Sequence, residues 1–106
     1  MIAHVVTLTF VEGAGPATID EFHTALTRMR VELGDRIVSY HHGPALGLRP
    51  DGADYAIVSV VRDEEALHHY LDSSAHQAVN AEFADRLFAE RRAVQIDYVA
   101  EGGSPD

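Results

Sequence analysis

Apolar residues fill positions 2–11 on both sides of the strand alternation. His4, Val6, Leu8 and Phe10 share one side, and Ala3, Val5, Thr7, Thr9 and Val11 the other. A β-branched run that is apolar on both sides predicts a strand covered on both faces. A Gly/Pro break at 12–16 follows. Ile19, Phe22, Leu26, Met29 and Leu33 then recur at helical spacing. The capping-box pair Thr18 and Glu21 sets the helix start at Thr18, and Gly34 is placed to end it. Residues 37–43 predict a second strand, with Val38, Tyr40 and His42 opposite Ile37, Ser39 and His41. Residues 44–52, punctuated by proline and glycine, predict a loop. Residues 55–61 predict a third strand, again apolar on both sides. Asp63, Glu64 and Glu65 sit where a helix dipole favours acids, opening a helix over 64–71 with the stripe Leu67, Tyr70 and Leu71. Ser73 and Ser74 interrupt it. A second helical pattern restarts at Ala75 and carries His76, Val79, Phe83 and Leu87. Residues 91–99 predict the last strand, with Ala93, Gln95 and Asp97 opposite Val94, Ile96 and Tyr98. The polar tail 101–106 is expected to be disordered.

The order strand, helix, strand, strand, helix pair, strand predicts a ferredoxin-like βαββαβ fold of the α+β class. It is a four-stranded antiparallel sheet with helices on one face, in one domain over residues 1–100. Helices hide only one face of such a sheet. The other, expected to present Val5, Thr7, Ile57, Val94, Ile96 and Tyr98, needs cover, and a second copy of the chain is the simplest supply. A homodimer is expected.

Composition narrows the partners. The 106 residues carry a formal net charge of −9, which argues against nucleic acid and anionic membrane as ligands. There is no cysteine, so disulfides and thiolate chemistry are excluded and a reducing cytoplasm is the expected location. No signal peptide and no apolar run of the ~20 residues that span a bilayer is visible.

The chemistry concentrates between Tyr70 and His76. A phenol can donate or accept a proton, an unperturbed imidazole titrates near ~6.5, and a helix break can aim both into one cavity. The pairs His41-His42 and His68-His69 do not read as metal sites. Adjacent strand residues point to opposite faces, adjacent helix residues diverge by about 100°, and neither pair has a zinc-like partner spacing. No metal is expected.

Taken together, Ile2-Ala3-His4-Val5-Val6, Tyr40-His41-His42-Gly43-Pro44, Asp54-Tyr55-Ala56-Ile57-Val58, the Tyr70–His76 stretch and Asp97-Tyr98 resemble the stress-responsive A/B barrel (Dabb) family, over nearly the whole chain. The resemblance implies a dimeric α+β barrel with a pocket between helices and sheet in each subunit. Among enzymes of this type are plant polyketide cyclases of the olivetolic acid cyclase kind, which promote an aldol-type cyclisation without a cofactor. By position, the resemblance makes His76 and Tyr70 the catalytic pair and places His4 in the same pocket. Val6, Leu8, Phe22, Leu26, Val79 and Phe83 would form its apolar walls, with Tyr40, His23 and Gln95 as further lining residues. Asp97 is a candidate carboxylate for orienting an imidazole. The implied ligand is a hydrophobic, polyketide-like or aromatic small molecule. Two other readings stand beside the cyclase: a non-catalytic dimeric binding protein, and a cofactor-free monooxygenase. The haem-degrading relatives typically need a pocket tryptophan, and this chain has none. It also departs from the family pattern at Ser73-Ser74, where His-Pro often stands.

Overall fold

The structure, a computed structural model, describes residues 1–99; the tail segment 101–106 lies outside the described residues. Strand β1 (Ile2–Phe10) leads to helix α1 (Pro16–Leu33), a short 3-10 turn (Gly34–Arg36) and strand β2 (Ser39–Pro44). Strand β3 (Tyr55–Val61), helices α2 (Glu64–Asp72) and α3 (Ser74–Leu87) and strand β4 (Phe88–Asp97) follow. The strands lie in the order β2-β3-β1-β4, and every neighbouring pair is antiparallel. This is the ferredoxin-like α+β arrangement expected from the pattern.

Helix α1 begins before Thr18. Pro16 occupies its first turn and Gly15 is its N-cap, without a side-chain cap bond. Proline's fixed φ suits a first turn and its missing N–H costs nothing there. The Thr18/Glu21 capping box is therefore unused, and Glu21 pairs instead with Arg86 of α3 at 3.0 Å. Gly34 ends the helix with φ 57°, a conformation that disfavours any side chain. The turn that follows delays β2 until Ser39. Ile37, expected to start that strand, is buried at the connection.

Residues opposite one another in an antiparallel pair point to the same face. The register His4↔Ser59, Val6↔Ile57 and Leu8↔Tyr55 therefore puts Ile57 on the helix side with Val6. Ile57 is buried there, which corrects its expected place on the uncovered face. That face carries Val5, Val58 and Val94 in one row and Ala3 with Ile96 in the next. Val94, Ile96 and Tyr98 are exposed on it. The core lies between the helices and the other face, where Val6, Leu8, Ile57 and Val61 meet Phe22, Leu26, Met29, Tyr70, Phe83 and Leu87. No helix among the described residues is long and apolar enough to cross a membrane.

Strand β4 starts at Phe88, directly after Leu87 and three residues before the expected start. Its residues from Ala89 to Asp97 are exposed.

Candidate active site

The break between α2 and α3 is a single residue. Ser73 donates from its hydroxyl to the Tyr70 carbonyl at 2.7 Å and accepts from the His76 N–H at 3.1 Å. One side chain thus binds an orphan carbonyl of the helix that ends and an orphan N–H of the helix that begins. Ser74 then stands at the first position of α3, where proline would also be accommodated. Ser73 itself has φ −62°, so the departure from the family's His-Pro leaves the turn with an ordinary cap.

This junction sets the His76 ring. Its Nδ1 lies 3.0 Å from the Leu71 carbonyl oxygen. A carbonyl can only accept, so Nδ1 carries the proton and Nε2 is the ring's acceptor in the neutral state. Burial holds the His76 pKa below its usual value. The Leu71 bond opposes that effect, the positive charge of Arg91 adds to it, and Asp72 opposes it. The Tyr70 ring meets His76 edge-on with centroids 5.0 Å apart. Burial raises the Tyr70 pKa, against the smaller effects of the neighbouring Tyr40 and Ser59 hydroxyls and of Arg91.

Beneath Tyr70 the register builds a polar row across all four strands: Tyr40, Ser59, His4 and Gln95. The Gln95 amide nitrogen lies 2.7 Å from His4 Nδ1. It donates there and leaves the proton on Nε2, which is buried without a partner. Burial lowers the His4 pKa, and Arg91 and His76 lower it further. The buried Tyr40 hydroxyl also makes no hydrogen bond of good geometry, and burial raises its pKa strongly. His4 and Tyr40 both approach Tyr70 edge-on, at 6.2 and 6.4 Å.

Tyr70 and His76 line one narrow cavity of about 20 Å3, with Val6, Leu8, Phe22, Leu26 and Val79. That is room for about one water. His4, Tyr40 and Gln95 lie behind Tyr70 rather than on the wall. Phe83 is buried in the core against Phe22 and does not line the cavity. His23 belongs elsewhere: its Nδ1 lies 2.8 Å from the Tyr55 hydroxyl, which is also 2.7 Å from His42 Nδ1. Asp97 pairs with Ile2 along the sheet, and its carboxylate holds neither imidazole. Gln95 and the Leu71 carbonyl take that role, because they stand opposite the two Nδ1 atoms. Ile57, Asn80, Phe88 and Arg91 complete the cavity wall and were not anticipated. Their places depend on which face of β3 meets the helices and on the early start of β4, neither of which periodicity specifies. His41 and His42 point to opposite faces, as their strand positions require. His68 lies 3.5 Å from Glu64 one helical turn away.

The model of the stress responsive A/B barrel domain matches residues 2–100, and the chain belongs to that family. A dimeric ferredoxin-like protein of unknown function from Thermobifida fusca is 26% identical, with 92% of this chain and 90% of that one covered and a TM-score of 0.84. A Dabb family protein from Mesorhizobium loti shares the fold at 12% identity, covering 93% and 97%, with a TM-score of 0.75. So does a hydroxynitrile lyase from Passiflora edulis, at 15% identity, covering 90% of each chain, with a TM-score of 0.76. No curated protein matches the sequence.

Proposed function

We propose that the protein is a cofactor-independent acid–base enzyme of the polyketide cyclase type, working as a homodimer in which each subunit holds one site. His76 Nε2 takes a proton from the carbon next to a substrate carbonyl. The electron pair of that C–H bond moves onto the carbonyl oxygen, and the Tyr70 phenol donates a hydrogen bond to the enolate. The enolate carbon then attacks a second carbonyl of the same molecule and closes the ring. The proton held on His76 returns to the new alkoxide. The buried Nε2–H of His4 lies behind Tyr70 without a partner, which suits a bound water there. The 20 Å3 cavity takes only the reacting end of the molecule. The hydrophobic or aromatic remainder lies along the exposed helix-side face of β4.

The observation that carries this reading is the bond from His76 Nδ1 to the Leu71 carbonyl. It fixes the tautomer that a base needs, while burial and Arg91 keep the ring neutral near pH 7. Deuterium exchange at the carbon beside the carbonyl of a panel of aryl ketones tests it without requiring the natural substrate. Wild-type protein should accelerate exchange. His76→Ala should lose about 10²–10⁴-fold, and Tyr70→Phe should lower the rate with little change in ketone affinity. Wild-type exchange by a dimeric His76→Ala variant would remove His76 as the base.

The smallness of the cavity favours a second reading, a dimer that binds a small molecule without transforming it. Ketone binding without exchange by the wild type would select that reading.

A further inference from the structure

Arg91 stands at the same cavity as Tyr70 and His76. The register Leu8↔Arg91 puts it on the helix side of β4. The next residue, Arg92, falls on the opposite face and pairs there with Glu90. Arg86, the third arginine of this region, pairs with Glu21. Arg91 has no carboxylate within ion-pair distance among the described residues, in a chain whose net charge is −9. Other arginines also lack a carboxylate among the described residues, but Arg91 stands at the wall of the narrow cavity that holds Tyr70 and His76. Its side chain remains exposed, so it is open to a ligand. Ala93, its neighbour on the same face of β4, presents only a methyl group beside it. Asn80 of α3 adds a neutral amide to the same wall.

We infer that Arg91 is a specificity residue that favours substrates bearing a carboxylate, so that the site binds carbonyl acids more tightly than neutral ketones. This rests on the acid–base reading of the site. A guanidinium grips a carboxylate with two parallel N–H···O bonds, which fixes orientation as well as affinity. A carboxylate held at Arg91 leaves the chain of the acid to enter between Tyr70 and His76 with its carbonyl end. It also pairs the cation at the cavity that no carboxylate among the described residues meets.

Binding alone tests the inference, so its failure is separable from failure of the catalytic reading. The probes are 3-phenylpropanoate and 3-phenylpropanamide, titrated calorimetrically and followed by the His76 imidazole resonances. Wild-type dimer should bind the acid about tenfold more tightly than the amide, the advantage of about 1.4 kcal/mol expected of an exposed charge-assisted pair. Arg91→Gln should bring the acid down to the affinity of the amide and leave the amide unchanged. Arg91→Lys should keep part of the preference, since it retains the charge without the fork. His76→Gln should keep the preference in full, because His76 does not hold the carboxylate. Equal binding of acid and amide by the wild type, no binding of either at millimolar concentration, or an undiminished preference in Arg91→Gln would each overturn the assignment. Loss of exchange activity on aryl ketones would not bear on it.

Discussion

His42 and His23 share a single phenol. The Tyr55 hydroxyl has one proton to donate, so it donates to one Nδ1 and accepts from the other, and the two imidazoles must hold opposite tautomers. Their rings lie 4.4 Å apart, and Thr27 closes the cluster on His42 Nε2 at 3.3 Å. Burial, with the charges of His23 and His41, pulls the His42 pKa down to about 4. Its unfolded value is 6.5, so between those two values the unfolded chain takes up the proton first. Stability must therefore rise with pH across this window, being complete above about pH 6.5 and lost as the pH falls towards 4. Urea unfolding at pH 7, 5.5 and 4.5 should show a falling midpoint, and His42→Gln should flatten the dependence. An identical slope in the variant would show that other groups govern it. Sequence alone could not join these residues. His23 and His42 are on different elements, and only the packing of α1 against the edge of β2 brings them to Tyr55.

At the scale of elements, the order and type of the strands and α-helices were legible because most carry an apolar period matching their geometry, and β2, Ser39–Pro44, is bracketed by Gly34 and the Pro/Gly-rich loop. Boundaries were less so, for identifiable reasons. The Thr18/Glu21 pattern is a sound cap signal, yet Pro16 begins the helix earlier. β4 begins directly where α3 ends, and Phe88 fits the pattern of either element. β3 is apolar on both sides, so alternation could not say that Ile57 faces the helices. The α2/α3 junction was legible as a break but not as a cap, because the double bond of Ser73 depends on the exact exit of α2. Two substitutions separate its parts. Ser73→Ala should cost about 0.5–2 kcal/mol in chemical denaturation, the usual loss for an N-cap. Ser74→Pro should be neutral or stabilising by about 0.4–1 kcal/mol, since a first helical turn accepts proline and Ser73 is already extended. Destabilisation by Ser74→Pro would mean that the Ser74 N–H is needed.

At the scale of the molecule, the sheet is covered on one side only. Val94 and Ile96 remain more than half exposed on the other, and β2 and β4 leave two open edges, a combination that soluble chains normally shield. Sedimentation at micromolar concentration should give a dimer. Ile96→Glu should give a monomer, because a charge on this exposed position is tolerated by the isolated subunit but not at a desolvated apolar contact. A wild-type monomer would remove the dimer from the proposal while leaving the intrasubunit cavity in place.

The absence of any loop between Leu87 and Phe88 makes the end of α3 a phase lock for the last strand. From Glu90 onward the side chains of β4 alternate, so one residue inserted here and not taken up by the register shift between Phe88 and Glu90 would move the strand by one step and exchange its faces. Arg91 and Gln95 would then point away from the helices, and Val94 and Ile96 would turn inward. A single insertion would thus strip the cavity of its cation, release His4 from Gln95 and remove the apolar strip from the outer face, although no functional residue had been changed. Insertions and deletions at this joint should therefore be far less tolerated than in the 45–54 loop, where no strand's phase depends on the count.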